Sequence, residues 1–406
     1  MNKDFALKIF EGFSIVRWND LVRPFDIVEM DKDAEKMVTA YIIAKYEEDR
    51  GVQIDWEWMI YASLFDLLRK IALCDIKSPV QRLIKTEYPD EFIKLNEWVL
   101  EQYKKLVDDT SLFKRFTIYI GNMSGTIPFA DGQAETARIF RAAHKYSTLR
   151  ELEMLSLVNE AVRLDPIRKE INADLQKYLD LQGLQMLMTR QKPFEFLMRI
   201  EQLRFQTRWN QTPRVPKTSV LGHCYFVAVL TLLLERESGV NLCRKRFYDN
   251  FFCALFHDLP ESVTRDIISP VKQATSGLPN IVKNIEEQIV AKELVPLMED
   301  FYKDEILYFT SDEFANRVRI DGHSVHVSWE DLNQKYNDDS YSPVDGRLVR
   351  IADHYSALLE ADLSIKHGIT SKHLTFGRDN LLKAYKEGNV INGIDAYKLF
   401  HSFVAD

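Results

Sequence analysis

Apolar residues recur along most of this chain at the three- and four-residue spacing of a helix face, and few stretches alternate as strands do. Amphipathic helices are predicted over 34–47, 90–106, 149–162, 170–189, 279–302 and 381–386. The segment after a Thr218 or Ser219 cap is different. From Val220 to Leu234 it is apolar almost all round, which predicts a buried helix. One stretch, Arg317 to Val327, alternates and turns at Asp321-Gly322, so it predicts a hairpin. The pattern is that of an all-α protein with one small β-hairpin inserted near 314–328.

Four polar positions break the apolar segments. His223 lies inside the buried helix, where an imidazole needs a partner. His257 and Asp258 close the apolar stretch Ala254-Leu255-Phe256 and precede Pro260. Asp353 sits among Leu348, Ile351, Ala352, Tyr355, Leu358 and Leu359, close to the apolar side of a predicted helix. A carboxylate buried there without a partner is costly. Two imidazoles and two carboxylates from three helices satisfy one another by binding one divalent transition metal. A hydrogen-bonded core histidine with two salt-bridged aspartates is the competing reading. Mixed nitrogen and oxygen ligation suits Mn, Co, Fe, Ni or Zn and does not choose among them.

Taken in order, His223, the dyad His257-Asp258 and the distant Asp353 resemble the HD-domain phosphohydrolase superfamily over roughly Glu195 to His367. Arg208-Trp209 before the first histidine, and the run from His257 through Glu261 and Asp266 to Lys272, resemble its bacterial 5′-deoxynucleotidase branch. The resemblance implies a metal that holds the phosphate and an attacking water, with Glu261 in proton transfer. It implies Asp266 near the sugar and the leaving oxygen, and Lys272 as a further substrate contact. Arg208 offers a fork of donors suited to a phosphate monoester, and Trp209 a flat wall against a sugar that favours deoxyribose. The implied activity is removal of the 5′-phosphate from deoxynucleoside monophosphates. Its rivals are hydrolysis of a deoxynucleoside triphosphate, a cyclic nucleotide or another phosphorylated metabolite, and a nucleotide-binding regulator with little catalysis. The insert between Asp266 and Asp353 is longer than in compact members and would cap the pocket or contact a partner. Its His323 and His326 suggest a second metal site less than they suggest solvated side chains.

The first half of the chain echoes the second. Arg17-Trp18-Asn19 repeats Arg208-Trp209-Asn210, and Asp75 to Val80 repeats Asp266 to Val271, at one offset: 208 − 17 = 191 and 266 − 75 = 191. The segment around His144 echoes that around Asp353 at 353 − 144 = 209, the second copy holding the longer insert. Two HD-like domains in tandem are expected, a degenerate copy over 1–165 and an active one over 194–406, joined by a helical linker over 166–193. In the first copy Lys32, Asp66, Leu67, Lys70 and His144 occupy the places of His223, His257, Asp258, Glu261 and Asp353, so no metal is expected there. Two readings of Lys32 stand: paired with Asp66 where the metal would be, or pointing to solvent. Retained Arg17, Trp18 and Asp75 leave open a nucleotide sensor. The copies are expected to pack as an intrachain pair that imitates a dimer, with homo-oligomers open.

At 406 residues the chain exceeds the usual size of one core, which agrees with two domains. Its net charge of −8 and pI near 5.7 exclude a broad basic surface, and with it a nucleic acid polymer as partner. Cys74, Cys224, Cys243 and Cys253 lack C-x-x-C spacing and read as reduced thiols, Cys224 as packing. Without a signal-like segment or an apolar run of membrane length, a cytoplasmic location and no membrane contact are expected.

Overall fold

The computed structural model describes residues 1–265 and 275–403. Its first half runs α1 (Lys3–Phe10), α2 (Glu29–Asp49), α3 (Trp56–Leu73), α4 (Ser78–Glu87), α5 (Pro89–Tyr103), α6 (Thr110–Ser124), α7 (Gln133–Leu155), α8 (Ala161–Leu175) and α9 (Gln182–Met188). The second half begins with α10 (Lys192–Phe205), α11 (Val220–Glu237), α12 (Arg244–Phe256), α13 (Glu261–Thr264), α14 (Leu278–Glu293) and α15 (Asp300–Thr310). The inserted hairpin follows as β1 (Asn316–Ile320) and β2 (His323–His326), then α16 (Trp329–Gln334), β3 (Val344–Asp345), α17 (Gly346–Lys366) and α18 (Lys372–Ala384). A minor pair, β4 (Val390–Ile391) and β5 (Ile394–Asp395), leads into α19 (Ala396–His401). The fold is all-α with little sheet.

The predicted hairpin forms in register, Ile320 opposite His323, with Asp321 at φ 49° and Gly322 at φ 79° supplying the left-handed turn. β3 adds to its other edge, giving the order β2-β1-β3. Three predicted helices are interrupted. The 149–162 stretch breaks after Leu155, where Asn159 turns its amide onto the carbonyls of Val22 and Leu155. The 170–189 stretch, and with it the 166–193 linker, divides among α8, α9 and the start of α10, and within α9 Gly183 lies close against the backbone of Ile43. The 279–302 stretch divides at a 3₁₀ turn around Pro296, which has no N–H to continue the helix.

At the centre α2 packs against α11. α11 starts at Ser219, whose hydroxyl accepts from Gly222 N, and it is buried all round as its composition predicts. α2 was expected to show one apolar face, yet Glu29, Asp33, Glu35 and Lys36 are all buried in it. The helices approach closely at Gly222, where a Cβ would lie 2.5 Å from Asp31 Oδ1 and 2.8 Å from the Phe13 ring. On one side of this crossing Phe13 meets the Phe226 ring at 5.9 Å; on the other Arg204 pairs with Glu35 at 2.7 Å.

Features recur 191 residues apart. Val16 bridges Val28, and Thr207 bridges Ser219. Trp18 and Trp209 have φ of 58° and 51°, while Cys74 and Arg265 have φ of 54° and 62°. Phe13 and Arg204, like Glu35 and Phe226, stand at the same spacing, so the two contacts flanking the crossing are related by exchange of halves.

Glu305 of α15 ties the halves together. It pairs with Lys45 at 2.9 Å and Lys245 at 2.7 Å, and accepts from the hydroxyls of Tyr41 and Tyr248, each at 2.8 Å. Burial alone would raise its pKa, but the lysines Lys245 and Lys45 outweigh burial and hold it at about 2. A carboxyl whose pKa falls on folding contributes stability that is complete above about 4.5 and lost as pH falls toward about 2. Glu305→Gln should therefore flatten that acid limb, measured as thermal midpoint between pH 5 and 2. An unchanged slope would assign acid sensitivity to other carboxylates.

Candidate metal centre

Three helices supply the site. His223 stands one turn into α11, His257 caps the C-terminus of α12 with Asp258 after it, and Asp353 projects from α17. His223 is fully buried; its Nδ1 lies 3.0 Å from Ser356 Oγ, which turns Nε2 toward Asp353 Oδ1 at 3.0 Å. His257 Nδ1 lies 2.7 Å from the carbonyl of Ala254, so the proton belongs on that nitrogen and the lone pair of Nε2 faces the site. Asp258 Oδ2 is 3.3 Å from His257 Nε2 and 3.9 Å from His223 Nε2. The four residues named from the sequence thus converge.

The donor set fits a divalent cation. His223 Nε2 is buried without a well-formed hydrogen bond, an atom that costs free energy unless something occupies its lone pair. Among the described residues two groups have metal-holding geometry, His223 with His257 and Asp353, and Cys224 with His257 and Asp258, each with donor atoms within 4.8 Å of one another. Cys224, expected only to pack, therefore lies on the wall of the centre. Burial, and then the Arg208 guanidinium, hold His223 below its usual pKa, favouring the neutral ring a ligand needs. Burial should raise Asp353, but the adjacent His223 ring and the Arg208 charge hold it well below the carboxylate range.

Arg208 reaches the same carboxylates, with Nη1 3.9 Å from Asp258 and Nη2 3.8 Å from Asp353. Those distances exceed a hydrogen bond and leave both nitrogens able to donate elsewhere. Its Nε lies 3.3 Å from Glu360 Oε2, and the same oxygen accepts from Trp209 Nε1 at 2.7 Å. Glu360 was not foreseen. It stands seven residues past Asp353, two helical turns along one face, a spacing that Glu151 keeps from His144 in the first half. Glu261 opens α13 three residues past Asp258, its N–H donating to the Asp258 carbonyl, and its charge helps to raise the pKa of Arg208. Asp266 and Lys272 lie outside the described residues. His323 and His326 are exposed on the hairpin, His326 beside Asp312 at 3.3 Å, and neither joins a metal-holding group among the described residues.

The corresponding region of the first half is packed with ion pairs. Lys32 does not pair with Asp66, nor does it face solvent; its ammonium donates to Ser147 Oγ and Thr148 Oγ1 at 2.7 Å and to the His144 carbonyl at 3.1 Å. Asp66 instead receives Lys36 and Lys70, Asp33 receives the same two lysines, and Lys70 also reaches Glu29 at 2.7 Å. Arg17 is taken up by Glu29 at 2.6 Å and Glu151 at 3.1 Å.

Metal-free protein titrated with Mn²⁺, Co²⁺ or Zn²⁺ should gain about 2.7 kcal/mol at a hundredfold excess over Kd, read as a rise of thermal midpoint. His257→Ala should lose most of that rise. An equal rise in the variant would place the ion elsewhere.

No curated protein matches the chain. Residues 200–381, which hold all four converging residues, match the HD domain, a family of hydrolases that bind a divalent metal and act on phosphorylated substrates. The part of the second half that holds the four converging residues is therefore similar to an HD domain.

Proposed function

We propose that the protein is a metal-dependent phosphomonoesterase that removes the 5′-phosphate from deoxynucleoside monophosphates. The observation that carries this reading is a nest of two buried imidazoles, His223 and His257, and two half-buried carboxylates, Asp258 and Asp353, with one guanidinium, Arg208, held at its edge. The four residues hold the ion, which when bound supplies a Lewis acid for the phosphoryl oxygen and lowers the pKa of water toward about 7. Arg208 receives the phosphate through Nη1 and Nη2, while Glu360 takes its Nε and fixes the plane of the fork. Glu261 takes the proton of the attacking water on its carboxylate. Asp266 and Lys272 complete the sugar and phosphate contacts on the strength of the resemblance alone. A monoester suits the site better than a triphosphate, because the single guanidinium is already shared with Glu360.

The first half is a second copy of the same domain without a metal. The 191-residue recurrence of the bridges and of the left-handed tryptophans supports duplication, as does the pair of hydrogen bonds Trp18–Glu151 and Trp209–Glu360, 2.8 and 2.7 Å, whose glutamates keep the 209-residue offset. The exchange-related contacts flanking the α2–α11 crossing support an intrachain pair arranged like a two-fold dimer.

Metal-reconstituted protein should release inorganic phosphate and nucleoside from deoxynucleoside monophosphates. Ribonucleotides and triphosphates should be turned over more slowly. His257→Ala should lower kcat/KM at least about a hundredfold. Turnover confined to triphosphates, or absent across the panel with metal bound, would overturn the substrate assignment.

A further inference from the structure

Resting on the phosphomonoesterase reading, we infer that Glu360 and Gly377 are positioning residues that lock Trp209 beside Arg208, and that this lock sets the selectivity for the alcohol carried by the phosphate. The indole is gripped at both ends. Its Nε1 donates to Glu360 Oε2 at 2.7 Å. Its far edge rests on α18, where a Cβ built on Gly377 would lie 2.5 Å from Trp209 Cη2 and 2.9 Å from Cζ3.

Between these grips the backbone of Trp209 holds a left-handed φ of 51°. For a bulky residue that conformation is strained and persists only where the surroundings over-determine it. Glu360 is itself fixed, since Oε1 accepts from Thr218 Oγ1 at 2.7 Å and lies 3.8 Å from Arg214. Because one carboxylate oxygen holds both the Arg208 Nε and the indole N–H, the phosphate donor and the aromatic wall move as one body. A rigid wall discriminates between alcohols that differ by one hydroxyl; a wall that swings aside does not.

The first half isolates the part that belongs to selectivity. It keeps the carboxylate grip, Trp18 on Glu151, and its own left-handed φ of 58°. At the 209-residue spacing, 377 − 209 = 168, the place of Gly377 is taken by Arg168, on α8. The seat for the ring is therefore a feature of the half that holds the metal centre.

The test compares kcat/KM for a deoxynucleoside and a ribonucleoside 5′-monophosphate of the same base, using full-length, metal-loaded protein. The variants are Gly377→Ala, Glu360→Gln, Trp209→Phe and the double variant Glu360→Gln/Trp209→Phe. Wild-type protein that cleaves neither nucleotide overturns the proposed function itself, a result read before any variant. Given wild-type activity, Gly377→Ala and Glu360→Gln should each shrink the deoxy-to-ribo ratio about tenfold. The double variant should shrink it no further than the larger single effect, since Trp209→Phe removes the N–H that residue 360 accepts and leaves the second change nothing to grip. A general packing defect lowers both substrates alike and leaves the ratio unmoved, which would overturn the inference, as would additive effects in the double variant. Should Glu360→Gln fail to fold, Gly377→Ala decides, because its site on α18 is only half-buried.

Discussion

A carboxylate buried in this helical interior must be met by positive charge, and the way each half meets that demand separates them. In the first half Glu29, Asp33 and Asp66 are met by Arg17, Lys36 and Lys70, all covalently part of the chain. At the 191-spaced positions the second half has Val220 for Glu29, Cys224 for Asp33, Val227 for Lys36 and Glu261 for Lys70. Every lysine has gone, while Asp258 and Asp353 stand half-buried beside two buried imidazoles with Arg208 just out of hydrogen-bond reach. Desolvation without a partner would cost several kcal/mol per charge, so a divalent ion is the economical completion of the second half and a superfluous one in the first.

The α2–α11 crossing makes the two solutions interdependent. α2 carries Asp33 and Lys36 of the ion-paired cluster, and α11 carries His223 and Cys224 of the metal centre. Gly222, immediately before His223, is the point of closest approach, with Asp31 and Phe13 of the other half in its place. The register of α11, and hence the direction of the His223 ring, is fixed from across the interface. The two contacts related by exchange of halves are made differently, Phe13 with Phe226 by aromatic rings and Arg204 with Glu35 by an ion pair.

Much of this was legible in the sequence, for physical reasons. His223 stood out because a lone imidazole in an apolar helix is costly, and the order of the four polar breaks carried the family resemblance. The Asp321-Gly322 turn was readable because two consecutive left-handed residues have few compatible side chains. Helix breaks were not: the interruption after Leu155 depends on Asn159 reaching Val22, a contact distant in sequence. Lys32 misled because the 191-residue register places backbones, whereas a four-carbon side chain delivers its charge a turn away; Lys36 and Lys70 reach Asp66 instead. Glu360 escaped because no local pattern marks it as a partner of Arg208 and Trp209, although its spacing from Asp353 recurs in Glu151 and His144.

That recurrence also explains why Arg17 and Trp18 persist in a half with no metal-holding group among the described residues. Glu151 is fully buried and has Arg17, Trp18 Nε1 and, at 3.7 Å, Arg204 as partners, so losing Arg17 or Trp18 would weaken the pairing of a charge in the core. Arg17 is moreover saturated, because Glu29 takes the nitrogen at 2.6 Å that its counterpart keeps open. Where Glu29 stands, the second half has Val220, which accepts nothing. One position thus decides whether the same Arg-Trp-Glu frame closes on itself or presents a guanidinium to an anion. Retention of the motif in the first half follows from charge pairing and needs no ligand there.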